Sequence, residues 1–214
     1  MKSRPGRPRI LIADDHALVV EGLRKLLEGE FEVVGTVDNG RALLSLAERL
    51  KPDVILVDVT MPLLNGIDAC TRLRGTVPSS RVVILTMHAD RSYAAAAFRA
   101  GADGYVLKGS AASELVRAIR SVLRGQRYVA RGLPTSVLAE ASLPGETRSG
   151  HLTARQREVL QLVAEGRTAK QISALLRISA KTVEFHKARL MDQLDLHSTA
   201  ELTRYAVQHG IVAS

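Results

Sequence analysis

Two rhythms of apolar residues divide this chain. Between Ile10 and Tyr128, short runs rich in Val, Ile and Leu alternate with longer stretches whose apolar positions recur every three or four residues. The short runs read as strands buried on both faces, the longer ones as amphipathic helices. Strands are expected at 10–13, 32–37, 54–58, 82–86 and 104–107, and helices near 17–28, 40–50, 66–73, 90–100 and 113–124. Gly101 and Gly125 stand just past two helix ends, where a positive φ is easiest for glycine. Regular alternation of strand and helix predicts a parallel sheet covered by helices on both faces.

From His151 to Ile211 only the helical rhythm remains. Thr153 is placed to cap a helix carrying Val159, Leu160 and Val163, which Gly166 closes. Thr168 caps a second helix with Ile172, Leu175 and Leu176. A turn at Ile178-Ser179 opens a third, and Ser198 caps a fourth. Four short helices make a small bundle, and the middle two read as a helix-turn-helix. Between the two regions, Gly132, Pro134, Pro144, Gly145 and Gly150 break any long element. Residues 129–150 therefore read as a linker. Two helical turns over Thr135–Ala141 are expected inside it, and the rest as a mobile segment.

The third helix of the bundle resolves into two faces. At about 100° per residue, Val183, His186, Leu190 and Leu194 fall together, flanked by Lys187 and Met191. Lys181, Glu184, Phe185, Ala188, Arg189 and Asp192 lie opposite. His186 is thereby assigned to packing, and the outer set is assigned to a partner.

Chemistry enters at the strand ends. The run Val54–Val57 ends in Asp58, and Ile10–Ala13 ends in Asp14 and Asp15. A strand-end acid can simply cap the next loop. Several carboxylates at neighbouring strand ends, however, repel each other unless a cation joins them. Oxygen-only ligands favour a hard ion such as Mg²⁺. Two further strands end in Thr86 and Lys108. Hydroxyl, ammonium and carboxylates on one sheet edge suit an aspartyl phosphate, with a nucleophile, a metal, a donor and a counter-charge.

The chain has 214 residues and one cysteine, Cys70, which excludes an internal disulfide framework and suits a reducing cytosol. No apolar run approaches the ~20 residues of a membrane span, so no membrane partner and a cytoplasmic location are expected. The net charge of +8 is unevenly spread: +4 on residues 1–9, +1 on 10–128, zero on 129–150 and +3 on 151–214. The excess at the two ends points mildly to nucleic acid. The leader RPGRPR resembles the Gly-Arg-Pro core of a minor-groove hook, but Pro5 stands where that motif has arginine, and a disordered basic leader is the plainer reading.

Asp14-Asp15, Asp58 with Met61-Pro62 and Asn65-Gly66, Thr86, and Tyr105 three before Lys108 resemble the receiver domain of a bacterial response regulator. LTARQREVLQLVAEG, the turn, and ISAKTVEFHKARLMDQL resemble the LuxR-type DNA-binding domain. Together, from about Ile10 onward, the chain resembles a NarL/FixJ-family response regulator. The resemblance implies a basic tail over 1–9, a receiver over 10–128, the linker over 129–150 and a helix-turn-helix domain over 151–214. It implies a five-stranded, doubly wound, flavodoxin-like sheet of order 2-1-3-4-5 ahead of a four-helix domain.

By the same resemblance Asp58 is the phosphoacceptor. Asp15 and Asp58 bind Mg²⁺ directly, Asp14 assists, and the Thr60 backbone carbonyl adds a ligand. Thr86 and Lys108 contact the phosphoryl oxygens, and Tyr105 moves with Thr86. The implied partners are a sensor histidine kinase, double-stranded DNA, RNA polymerase, and a second copy of the chain on phosphorylation. The amphipathic stretch Ser113–Tyr128 resembles the region near which one receiver subgroup dimerises. Family positions matching Glu184, Phe185 and Ala188 often touch bases and commonly include basic residues. This sequence departs at Glu184 and Ala188, so no operator is carried over.

Lys181, Lys187 and Arg189 are then the expected phosphate contacts, with Thr182 a neutral donor. Glu184 suits cytosine N4, and Phe185 and Ala188 suit a thymine methyl. An unphosphorylated receiver covering the recognition helix is also expected. Two other functions fit less well. A hydrolase with an aspartyl-phosphate intermediate resembles D-x-D at its nucleophile, but Thr60 stands two after Asp58, so no enzyme is expected. A phosphate-independent module would not need the full acidic set with Thr86 and Lys108.

Overall fold

The computed structural model describes residues 6–142 and 152–212. The first region folds as β1 (Arg9–Ala13), α1 (Ala17–Leu27), β2 (Glu32–Val37), α2 (Gly40–Leu50), β3 (Val54–Asp58), α3 (Gly66–Thr76), β4 (Arg81–Thr86), α4 (Arg91–Arg99), β5 (Gly104–Leu107) and α5 (Ala112–Leu123). Two short elements follow, β6 (Tyr128–Val129) and α6 (Val137–Ser142). Every expected strand and helix is present. The sheet, however, has six parallel strands in the order 2-1-3-4-5-6, not five. Gly125, at φ 79, turns the chain after α5, and Tyr128 N–H donates to the Asp103 carbonyl at 2.9 Å. Tyr128 and Val129 then pair with Gly104 and Tyr105. Two residues are too short a run to show a periodicity.

Apolar side chains fill both faces of the sheet. α1 and α5 cover one, over Ile10, Ile12, Leu56, Val83 and Val106. α2, α3 and α4 cover the other, over Leu11, Ile55, Val57, Ile84 and Tyr105. The first part of the expected linker belongs to this second layer. Ala130 and Val137 are buried, and α6 lies on α4 with Arg91 paired to Glu140. The remainder of that segment, 143–150, lies outside the described residues, as do 1–5 of the basic leader. Arg7 and Arg9 are instead tied to the sheet-bearing lobe, donating to the carbonyls of Glu28 and Leu50.

The second lobe consists of α7 (Ala154–Ala164), α8 (Ala169–Leu176), α9 (Ala180–Leu194) and α10 (Thr199–Gln208). Thr153, Thr168 and Ser198 each form a reciprocal capping box, and Ser179 caps α9. Leu160, Leu162, Ile172, Val183, Leu190 and Leu202 form its core.

Candidate functional site

The register of β1 against β3 pairs Ala13 with Val57, so Asp14 and Asp58 leave the sheet side by side. Both are buried, while Asp15 is exposed. Ligand atoms of Asp14, Asp15, His16 and Asp58 all lie within 4.8 Å of one another. Lys108, on the loop after β5, places Nζ 2.8 Å from Asp58 Oδ2 and 2.8 Å from Asp14 Oδ2. The Asp14 contact is off the hydrogen-bonding angle, so that buried oxygen keeps unspent lone pairs. Three carboxylates, one with a buried oxygen outside hydrogen-bonding geometry, and the His16 imidazole beside them fit a hard divalent cation.

Burial pushes the Asp58 carboxyl above its ordinary range; the hydrogen bond and charge of Lys108 oppose this, and Asp14 adds to it. For Lys108, burial alone would lower the ammonium, but the contacts to Asp14 and Asp58 outweigh it and hold it above its ordinary value. The site thus carries an excess of buried negative charge that one lysine only partly offsets. Burial pushes the Cys70 thiol up to about 12, which keeps it protonated and inert.

Thr86, fully buried, ends β4. Its Oγ1 accepts the His88 N–H at 3.2 Å, and the Tyr105 hydroxyl donates to the His88 carbonyl at 2.8 Å. Burial pushes the Tyr105 phenol up, with Tyr93 and Asp90 adding to the effect, so it stays a donor. Sequence reasoning missed His16 and His88. Each sits one or two residues past a recognised position, and a lone histidine there carries no pattern.

On α9, burial sorts the two faces as the helical projection predicts. Val183 and Leu190 are buried, and His186, Lys187 and Met191 are half-buried. Lys181, Glu184, Ala188, Arg189 and Asp192 are exposed, Thr182 is half-buried, and Phe185 is 57% exposed. The Arg189 guanidinium lies 5.8 Å from the Phe185 ring centroid, a cation–π distance. Burial, with the charges of Arg155 and Arg189, lowers the His186 imidazole below its ordinary value, as befits a packing residue.

The two lobes are docked, but not through α9. The sheet-bearing lobe meets α7 and the ends of α8 and α10. Asp68 holds Arg157 in a fork, Oδ1 to Nη2 at 2.7 Å and to Nε at 3.0 Å. Glu158 pairs with Arg72 across the interface and with Arg155 within its own helix. Arg41 Nη1 donates to the Leu175 carbonyl at 3.1 Å. Gln161, buried, accepts from Asn65 N–H and donates to the Met61 carbonyl, both at 2.9 Å. Leu63 N–H donates to Glu165 at 2.9 Å, and the Leu63 side chain packs against the apolar cluster of the helical lobe. Leu63 is held at φ 67, a left-handed conformation uncommon for leucine. The expected cover over the recognition helix is therefore not formed among the described residues. α7 presents a polar face that matches the Met61–Asn65 loop, and α9 is left open to solvent.

The fold and site define a two-lobe regulator: an acid pocket at the switch point of a parallel sheet, joined to a helix-turn-helix. Two family models match, "Response regulator receiver domain" over residues 10–120 and "Bacterial regulatory proteins, luxR family" over 150–206. The chain is 39% identical to the transcriptional regulatory protein MctR of Rhizobium johnstonii, covering all of this chain and 99% of that protein. It is 33% identical to the response regulator UvrY of Escherichia coli K12, covering 94% of each. Among solved structures it resembles RcsB of Salmonella enterica serovar Typhimurium bound to promoter rprA with the phosphomimetic BeF3-, at TM-score 0.63 and 29% identity, over 94% of this chain and 98% of that one. This chain belongs to the LuxR-type response regulators of two-component systems, a DNA-binding family controlled through its receiver. Among the described residues no helix is long and apolar enough to cross a membrane.

Proposed function

We propose that Asp58 is the phosphoacceptor and that Asp14, Asp15, Asp58 and the Thr60 carbonyl hold the Mg²⁺ that its chemistry requires. The observation that carries this is the side-by-side burial of Asp14 and Asp58, bridged by one lysine at 2.8 Å. A bound Mg²⁺ would neutralise charge on the phosphoryl group and on the acids. Asp58 attacks the phosphorus of a phosphohistidine on the sensor kinase, and the phosphorus–nitrogen bond breaks as the acyl phosphate forms. Lys108 and Thr86 then hold phosphoryl oxygens. For Thr86 this means exchanging the His88 N–H for the phosphoryl group, and Tyr105 follows it.

The same reading keeps a receiver from residue 10 and a helix-turn-helix domain over 151–214, with 129–142 of the expected 129–150 linker packed on the receiver, and assigns the chain no catalytic turnover beyond its own phosphorylation. It places the protein in the cytoplasm, working with RNA polymerase. Phosphorylation favours a homodimer whose two α9 helices meet half-sites related by a pseudo-two-fold. Because α9 already faces solvent, docking restrains the orientation of the helical lobe and so its pairing, rather than masking the reading face.

Labelling with phosphohistidine donor or a small acyl phosphate tests the metal requirement directly. Label should need a divalent cation, and Asp15→Ala should weaken Mg²⁺ binding measured by calorimetry. Undiminished Mg²⁺ affinity in that variant would remove Asp15 from the ligand set. Lys108→Ala should keep some label yet lose the DNA response, because the counter-charge on the β5–α5 loop is gone.

For the DNA face, Lys181, Lys187 and Arg189 contact phosphates, with Thr182 and the α9 N-terminus adding neutral donors. Glu184, Phe185 and Ala188 read base edges. Lys187→Ala should weaken binding to all sequences and reduce the salt slope by about one unit. Glu184→Gln should change base preference at one position per half-site and leave that slope nearly unchanged. Binding to an operator library at several salt concentrations separates the two effects. Unchanged base preference in Glu184→Gln would redraw the reading face.

A further inference from the structure

Tyr93 stands between the switch at Thr86 and the DNA-binding lobe. Its ring, largely buried in α4, stacks on His88 with centroids 4.5 Å apart and planes 9° from parallel. The His88 backbone is bound at both ends to the switch. Its N–H goes to Thr86 Oγ1, and its carbonyl accepts the Tyr105 hydroxyl. On its far side, the Tyr93 phenol meets Gly210, just past α10, at φ 60. A Cβ built on Gly210 would lie 1.9 Å from the phenol oxygen and 2.7 Å from the ring carbon that carries it. Glycine is therefore required there twice, for its backbone conformation and because the phenol fills the space of a side chain.

We propose that Tyr93 is a positioning residue that carries the state of Thr86 to the DNA-binding lobe. This rests on the assignment of Asp58 as phosphoacceptor. When Thr86 turns to the phosphoryl group it releases the His88 N–H. The loop between β4 and α4 is then free to shift, and the stacked His88 and Tyr93 rings move together. The phenol leaves its seat on Gly210, and α10 is no longer held. A cavity of about 270 Å³ beside the phenol, between α3, α4 and the end of α10, gives the ring somewhere to go. The other docking contacts, through Asp68, Glu158, Gln161 and Glu165, reach the receiver at α2, α3 and the Met61–Asn65 loop. None of these contacts is made by Thr86, His88 or Tyr105, whereas Tyr93 touches both the switch and the second lobe. α10 packs on α7 through Leu202 and Ala206, so a push at its end is delivered to the helical core.

The test uses the full chain with three readouts: acyl-phosphate labelling of Asp58, the solution radius from small-angle scattering, and DNA affinity with and without acyl phosphate plus Mg²⁺. In Tyr93→Ala, labelling should match the native chain while the ratio of the two DNA affinities falls toward one. Tyr93→Phe keeps the stack and should keep most of the ratio. Gly210→Ala should expand the unphosphorylated chain, and Tyr93→Ala with Gly210→Ala should return it to the compact radius. That double variant shares any backbone strain of the single one, so its recovery isolates the steric contact. A native affinity ratio in Tyr93→Ala overturns the proposal, as does an expanded radius in the double variant. Failure of the native chain to label at Asp58 would instead overturn the phosphoacceptor assignment.

Discussion

Asp58→Ala should carry no phosphoryl label under any donor, with or without Mg²⁺. The nearest other carboxylate, Asp14, is buried but lies at the β1 edge of the pocket, and Lys108 would remain paired to it at 2.8 Å. Nothing else described at the pocket offers a nucleophile on the axis of β3. Equal labelling of the variant would sink the assignment. A second effect follows from the displaced pKa. The folded Asp58 carboxyl lies above its ordinary value of 3.8 because burial disfavours its charge. The folded state thus holds a proton that the unfolded state has already released. Stability is then lost as pH rises from about 4 toward the folded pKa, and stays lost above it. In chelator, thermal melts of the native chain should show this decline, and melts of Asp58→Ala should show less of it. Parallel pH profiles for the two proteins would mean that Asp58 is not strained by burial.

Gly66→Ala should be nearly as damaging without touching a functional group. Asn65 caps α3, and Gly66 is its first residue, with its N–H donated to the Val59 carbonyl at 2.8 Å. An added Cβ would lie 2.0 Å from the Asp58 carbonyl oxygen and 2.9 Å from Val57 Cγ1. The nearest atom is backbone and cannot rotate away. Either α3 retreats or the end of β3 moves, and the end of β3 carries the phosphoacceptor. Overpacking of this kind costs ~3 kcal/mol. For a chain of this size that lowers the melting temperature by roughly 6–12 °C. Misplacing Asp58 by a fraction of an ångström should slow labelling on the order of tenfold or more. A variant that melts and labels like the native chain would show that α3 can draw back from the end of β3 at no cost.

Strands with apolar residues on both faces gave themselves away, and so did the polar residues that end them. Asp14, Asp58, Thr86 and Lys108 could be placed on one edge because a parallel sheet brings its carboxyl ends together. The face of α9 was equally legible, since helical spacing alone separates Val183 and Leu190 from Glu184 and Arg189. β6 was hidden by its length of two residues. The docked arrangement was hidden for another reason. Asp68 and Arg157 are 89 residues apart, and each reads alone as an ordinary charge on a helix surface. Gln161 and Glu165 look like the polar side of an amphipathic helix, and only the fold shows that the Met61–Asn65 loop lies against them. Tyr93 and Gly210 have no signature at all, because their fit is a matter of shape across two lobes.

Leu63 has a consequence for anyone building hybrid regulators. It is a peg: a leucine in a left-handed turn, five positions beyond Asp58, whose side chain fills a socket in the other lobe. A hybrid that joins this receiver to a foreign output module inherits the peg without the socket. Its turn then keeps the backbone strain while the leucine side chain sits in water, next to the exposed Pro62. Such hybrids should be sticky and poorly regulated until position 63 is changed to glycine, which adopts the same turn freely, or until the new module is given a matching recess.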